Sequence, residues 1–229
     1  MSQKLVWING SPKPDHPSAS HQMIEYLSNL LTSHYDSMLE VNALKLSLQP
    51  TKLTEHFKEV LSAHVMVIVT PLYADSMPSG LLDYLYQFEN FVKTHSEDNL
   101  KYPLKVYGYI NCGFIGGYQN HIALEILEHF AHRMNFTWCG GLGVGSGAML
   151  AGTLYSVPKD AKMQRPIYEG LDVFIKALKS QKAIPTCNKQ LLVTQDFSPS
   201  LFNFALNINW MAQSGWKFKK IYAKPYLKQ

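Results

Sequence analysis

Apolar positions along this chain fall into two alternating rhythms. Short continuous runs recur as "KLVWIN" at 4–9, "SMLEVNAL" at 37–44, "HVMVIVTPLY" at 64–73, "LKVYGYINCG" at 104–113 and "NFTWCGGLGVG" at 135–145. Runs of this length, bounded by turn-forming residues, predict buried strands. Between them apolar residues return every three or four positions. Residues 19–33 (Met23, Ile24, Leu27, Leu30, Leu31), 51–63 (Leu53, Phe57, Val60, Leu61), 119–134 and 161–181 carry that spacing, which predicts helices. The stretch 79–92 predicts a further helix with Ser79 as its N-cap, and Pro166 predicts a kink in the helix over 161–181.

The order is therefore βαβαβαβαβα. Strands separated by helices require crossover connections, and these imply a parallel sheet covered on both faces. Five strands within residues 1–181 predict an α/β, flavodoxin-like doubly wound sheet in the order 2-1-3-4-5. Beyond 181 the rhythm stops. Residues 182–229 are rich in aromatics and asparagine and too few to form a core of their own. The expected organisation is a flavodoxin-like domain over 1–181 and an extension over 182–229, packed on the core or on a partner subunit. Within it, 199–213 predicts an amphipathic helix opening at Pro199 with Ser198 as cap.

Composition narrows the class. Of 229 residues, 46% are hydrophobic and 17% charged, enough apolar material for a core and too little charge for disorder. No apolar run reaches the length of a membrane span. The first apolar run leads straight into a polar loop, unlike a secretory leader. Cys112, Cys139 and Cys187 form no C-x-x-C pair, which argues against a zinc ribbon or an iron–sulfur cluster and for reduced thiols in the cytoplasm. The net charge of +4 comes from the tail: residues 217–229 hold five lysines and no acid, leaving 16 basic against 17 acidic residues elsewhere. Such a tail reads as solvated or partner-facing; a nucleic-acid reader spreads its basic residues over a folded face.

Candidate chemistry lies in the loops that leave the carboxyl ends of the strands, where open parallel sheets bind ligands. The first runs from Gly10-Ser11-Pro12-Lys13 to Ser18-Ala19-Ser20-His21. Three hydroxyls before a helix N-terminus suit a phosphate monoester, whereas a helix cap alone needs one. No Gly-Lys-Ser/Thr makes it a Walker loop. The second, Thr70 to Pro78, is stiffened by prolines; its backbone amides could bond a planar heterocycle while Leu72 and Tyr73 pack on it, or it is an ordinary loop. The third, Asn111 to Tyr118, has glycines that admit close backbone approach, and Phe114 or Tyr118 could wall an aromatic ring; a plain glycine-rich connection is the alternative. The fourth fits G-x-G-x-x-A over 143–148, but after the fifth strand and not the first, so it reads as a flexible loop. Glu125, His129 and His132 share one predicted helix and read as a solvated face, so no metal site is expected. Cys112 reads as a small packing residue, a redox thiol being the alternative. No Gly-x-Ser-x-Gly elbow supports acyl transfer.

"INGSPK…SASH", "VTPLYADSMPSGLLDYL" and "NCGFIGGYQNHIALEI…GLGVGSG", in that order over residues 4–150, resemble the flavodoxin-like NAD(P)H-dependent oxidoreductases, often called NADPH-dependent FMN reductases. The resemblance implies that Ser11, Lys13, Ser18, Ala19, Ser20 and His21 hold the phosphate of FMN. It implies that Pro71, Leu72, Tyr73, Ala74, Asp75, Ser76 and Met77 hold the isoalloxazine edge, with Asn111, Cys112, Gly113 and Phe114 on the other side of the ring. Lys13 stands where the family often has Arg, and the cysteine clusters of its iron–sulfur branch are missing. The implied activity is ping-pong hydride transfer from NADH or NADPH through FMN to a quinone, azo, nitro or flavin acceptor. No side chain is assigned as acid or base. A homodimer is implied, with no nucleic acid and no membrane span. A flavodoxin-like electron carrier is the second reading, disfavoured because such carriers present an acidic face and this body is near neutral. A binding module without flavin is the third.

Overall fold

Strand residues such as Leu5, Val6, Trp7 and Ile8 are all buried, as a continuous apolar run must be when helices cover both faces of a sheet. The computed structural model describes residues 3–16, 18–95, 103–147, 150, 156–196, 198–213 and 215. Its strands are β1 (Lys4–Asn9), β2 (Ser37–Asn42), β3 (Val65–Pro71), β4 (Lys105–Asn111), β5 (Thr137–Val144) and β6 (Gln190–Val193). They form one sheet in the order β2-β1-β3-β4-β5-β6, every pair parallel. The helices are α1 (Ala19–Leu31), α2 (Ala43–Ser47), α3 (Pro50–Leu61), α4 (Ser79–Thr94), α5 (His121–Arg133), α6 (Arg165–Ser180) and α7 (Pro199–Gln213), with a 3₁₀ turn over Gly117–Asn120 before α5.

Alternation along each strand sorts the core into two layers. Val6, Ile8, Met66, Ile68, Val106 and Ile110 face α3, α4 and α5, where Phe57, Tyr84, Phe88 and Phe130 pack together. Leu5, Trp7, Val65, Val67, Val69, Tyr107 and Tyr109 face α1 and α6, against Met23, Leu27, Leu171 and Phe174. The second layer is tied at its rim: Tyr35 Oη donates to Leu178 O at 2.6 Å and Tyr107 Oη to Lys182 O at 2.9 Å.

The sheet has six strands, not the five expected. Gln190–Val193 pairs in register with Gly141–Val144, so the segment after 181 begins by supplying an edge strand. Its run of three apolar residues is too short to declare itself; pairing with β5 is what makes it a strand. β5 accepts this neighbour through Gly140, whose φ of +115° suits glycine and at which a Cβ would collide with the carbonyl of Lys189. A register shift opposite Val106/Tyr107 marks the same place.

Other elements differ from expectation at their ends. α4 begins with Ser79 as its first helical residue and Pro78 in the cap position, without a side-chain cap bond; the carbonyl of Pro78 instead accepts from Leu81 N and Leu82 N. Pro166 does not kink a helix. It lies in the first turn of α6, where its missing N–H has no partner to lose. β2 stops at Asn42 because that residue caps α2, its Oδ1 accepting from Lys45 N at 3.0 Å.

Residues through Gln195 make one compact unit and those from Asp196 a second. The second contains α7, with the bounds its sequence predicts; Leu201, Phe204, Ile208 and Trp210 are exposed on it. The lysine-rich stretch 217–229 and Trp216 lie outside the described residues. Among the described residues no helix is long and apolar enough to cross a membrane, and no group of three His, Cys, Asp or Glu could hold a metal ion. Glu125, His129 and His132 are exposed on α5.

Candidate functional site

Asn9, Asn42, Asn111 and Val144 end four strands along one edge of the sheet, in register with their neighbours. β1 lies between β2 and β3, so the chain leaves β1 in one direction and returns on the other side. The loops after β1 and β3 diverge from that reversal and leave a crevice.

The loop after β1 is wound by its own side chains. Gly10 N donates to Val69 O at 2.8 Å, and a Cβ there would stand 2.6 Å from both Leu81 Cδ2 and Thr70 Oγ1. Only glycine lets the loop lie so close to β3 and α4. Ser11 N donates to Asn9 Oδ1 at 3.0 Å, Lys13 N to Ser11 Oγ at 3.3 Å, and Asn42 Nδ2 to Ser11 O at 2.9 Å. The three serines thus divide. Ser11 is buried and holds the loop. Ser20 is buried on the inner face of α1. Ser18 is the N-cap, its Oγ accepting from His21 N at 3.1 Å. The amides of Ala19 and Ser20 are among those that open α1 without an intrahelical acceptor.

A cleft of about 410 Å³ opens over this loop, lined by Lys13, Asp15, Ser18, His21, Glu40 and Asn42 among others. Its charges are mostly paired. Lys45 Nζ lies 3.0 Å from Asp15 Oδ1, and His21 Nδ1 lies 2.9 and 3.0 Å from the two oxygens of Glu40. Nothing local in the sequence signals this acidic lining. Glu40 sits in a strand of mixed polarity, and only the sheet brings it beside a residue 19 positions earlier in the chain.

The loop after β3 folds into a tight turn. Tyr73 N donates to Ser76 O at 2.9 Å and Ser76 N to Tyr73 O at 3.0 Å. Ala74 and Asp75 have φ of 47° and 58°, the left-handed pair of a type I′ turn, with neither Gly nor Asn present. The turn leaves the exposed amides of Ala74 and Asp75 outside its own hydrogen bonds. Leu72 is half-buried, its N donating to Asn111 O at 2.8 Å, Tyr73 is exposed, and Met77 is buried in the core beneath α4. Ala74→Gly is expected to stabilise the fold by about 1 kcal/mol, since glycine carries no Cβ penalty at positive φ. Chemical denaturation checks this; an unchanged midpoint would show the turn to be unstrained.

The loops after β4 and β5 are knotted together. Ser146 N donates to Phe114 O at 2.5 Å and Gly147 N to Cys112 O at 2.8 Å. Cys112 is buried, its thiol 3.4 Å from the carbonyls of Phe114 and Gly116. Burial pushes that thiol up, against the opposing hydrogen bonds of Phe114 and Asn120, so Cys112 stays protonated and packs as a small residue. Gly113 and Phe114 are exposed, as is Tyr118. Among the described residues, the buried polar atoms here without a hydrogen-bond partner include Asn111 Oδ1, Gln119 Oε1, Asn120 Oδ1 and Ser146 Oγ. Ser146 is a further residue at this edge of the sheet. It sits at φ +56°, and its signal was the Gly-Ser-Gly that closes β5. The dinucleotide-like pattern of 143–148 dissolves, because Gly143 and Val144 are still strand; Ala148 lies outside the described residues.

No family model matches the chain, and no curated protein matches it. Solved structures do. An NADH:FMN oxidoreductase in its apo form superposes with a TM-score of 0.55 at 19% identity, covering 87% of this chain and 99% of that one. An oxidoreductase from Corynebacterium diphtheriae superposes with a TM-score of 0.50 at 14% identity, covering 80% and 99%. The chain has the flavodoxin-like fold. At these identities the likeness speaks for the fold. The flavodoxin-like frame puts the loops after β1, β3 and β4 on the carboxyl edge, where flavodoxin-like sheets take their ligands.

The donor set can be tested against a flavin mononucleotide. For its phosphate there are the Ser18 hydroxyl, the first amides of α1, the Lys13 ammonium and the His21 imidazole. For a flat polar ring there are the amides of Ala74 and Asp75 and the exposed rings of Tyr73 and Phe114; the Asn111 side-chain oxygen is buried and is not offered. The residues fit such a group. Ser20, Met77 and the Cys112 thiol are buried, so only their backbone would be offered.

Proposed function

We propose that this protein is an FMN-dependent NAD(P)H oxidoreductase. The observation that carries the reading is the pairing, across the β1/β3 crevice, of an anion-suited helix start with an exposed loop whose Ala74 and Asp75 amides are unused by its own turn and whose rings are exposed. In this reading Ser18, Ala19, Lys13 and His21 bind the phosphate, and Ser11 with Asn9 holds their loop in shape. Ala74 and Asp75 offer amides to the polar edge of the ring. Tyr73 and Phe114 bound the face that a nicotinamide would use. The bound flavin supplies two-electron transfer between a nicotinamide donor and an acceptor. The protein's part is to bind it, orient it and leave one face open. The acceptor class we propose is quinone, azo, nitro or free flavin. The exposed apolar residues of α7 support a homodimer, and three unbridged cysteines support a reducing, cytoplasmic setting.

Titration of the purified chain with FMN, followed by anaerobic NADH or NADPH, tests the reading. A bound flavin whose ~450 nm band bleaches rapidly is expected. A bound flavin that neither nucleotide reduces would turn the reading to an electron carrier, and absence of binding would refute both. Within it, Ser18→Ala is expected to weaken FMN binding by about 1–3 kcal/mol and the fold by about 1 kcal/mol, as both a phosphate donor and a helix cap are lost. An affinity equal to the parent's would remove Ser18 from the site.

A further inference from the structure

We propose that Glu40 is a positioning residue of the phosphate cleft, which fixes His21 so that the imidazole takes up a proton as a phosphate binds and holds that phosphate as a cation. The inference rests on the flavin reading and explains a feature that reading leaves awkward, a carboxylate in the wall of an anion site.

The geometry is a relay of four groups. Ser11 N donates to Asn9 Oδ1 at 3.0 Å, which fixes the amide so that Nδ2 faces Glu40; Nδ2 donates to Glu40 Oε1 at 2.7 Å. Both Glu40 oxygens lie within 3.0 Å of His21 Nδ1. An ionised carboxylate only accepts, so Nδ1 must carry a proton. That leaves Nε2 as the ring's other hydrogen-bonding atom, and His21 lines the cleft. An imidazole so held is an acceptor at Nε2 when neutral and a donor when charged.

Charge decides which form suits the ligand. Around His21 stand Lys13, Asp15 and His16 from the loop, Glu40 from β2, Lys45 from α2 and Glu25 one turn along α1. Lys45 is engaged by Asp15 and Glu40 by His21. With both histidines neutral, Lys13 in the cleft and Lys45 beside it only balance Asp15 and Glu40. A phosphate monoester brings about −1.5 to −2 charges near pH 7. Binding such a group favours a proton on His21, and Glu40 steadies the cation from the far side. Without Glu40 the ring has neither a fixed tautomer nor that counter-charge.

The test compares FMN with riboflavin, which lacks the phosphate, on the parent chain, Glu40→Gln and His21→Gln. Calorimetry in two buffers of different ionisation enthalpy reads proton uptake alongside affinity. Expected for the parent is proton uptake with FMN and none with riboflavin. Expected for Glu40→Gln is about tenfold weaker FMN binding, reduced uptake and unchanged riboflavin affinity. His21→Gln, altering an exposed side chain, is expected to abolish the uptake. Retained riboflavin binding shows that each variant is folded. FMN binding by Glu40→Gln as tight as the parent's, or tighter, would overturn the proposal, because Glu40 would then only repel the phosphate. FMN binding by the parent without proton uptake would overturn it too, leaving the flavin reading intact. A parent chain that binds neither flavin would overturn that reading and this inference with it.

Discussion

Phe88→Ala is expected to cost the fold about 4 kcal/mol, within the range for emptying a fully buried aromatic site. Phe88 lies on α4 with no exposed surface. Its ring centroid is 4.9 Å from that of Phe57 on α3, 6.4 Å from Phe130 on α5, 6.0 Å from Phe136 and 6.4 Å from Tyr84. Three helices therefore meet on one ring above the sheet, and neighbours shared among three elements cannot collapse onto the void together. Against a typical stability of about 5–15 kcal/mol this is a large fraction. The denaturation midpoint should fall with an unchanged slope. Tyr86→Ala on the same helix, exposed in the parent, should stay within about 0.5 kcal/mol. A Phe88→Ala loss below about 1 kcal/mol would mean that the helices are not packed around it. Because α4 follows directly on the Tyr73–Ser76 turn, the same variant should loosen any ligand held by that loop.

Acid is expected to destabilise the protein by about 3 kcal/mol between pH 6.5 and pH 4, through His56 alone. His56 is buried between α3 and α4, with Nε2 2.9 Å from Tyr84 Oη. Burial pushes its pKa down to about 4; Glu59 opposes this and Lys4 adds to it. Burial also pushes the Tyr84 hydroxyl well above its ordinary value, so it remains a donor and His56 Nε2 the acceptor. Above pH 6.5 neither state binds the proton and this contribution to stability is complete. As pH falls below 6.5 the unfolded chain takes a proton that the folded chain refuses, and the contribution is lost progressively until about pH 4. Stability measured across that window should therefore slope for the parent and be flatter for His56→Gln. Equal slopes would show that His56 is protonated in the fold.

Much of this was legible in one dimension. A buried strand in a parallel sheet has no wet face, so β1 and β3 announce themselves as unbroken apolar runs; α1 announces itself by three- and four-residue spacing and by Ser18 ahead of it. Those patterns are local, and with chain order they imply a doubly wound sheet and hence which loops share its carboxyl edge. What they could not carry is which neighbour a residue meets across the fold. β6 is four residues whose strand state comes from hydrogen bonding to β5. Ser11, Ser18 and Ser20 look alike in sequence, and the rotation of α1 that buries Met23 and Leu27 turns Ser20 inward and leaves Ser18 at the cleft. Met77 reads as part of a loop but fills the core under α4. Ala74 and Asp75 form a left-handed turn without the glycine that would have signalled it. Glu40 met His21 only when β2 was laid beside β1. Periodicity records how much water each residue avoids, and that is decided within a few positions along the chain. Partnership, charge balance and orphaned polar atoms depend on contacts between distant segments, and these exist only once the sheet has formed.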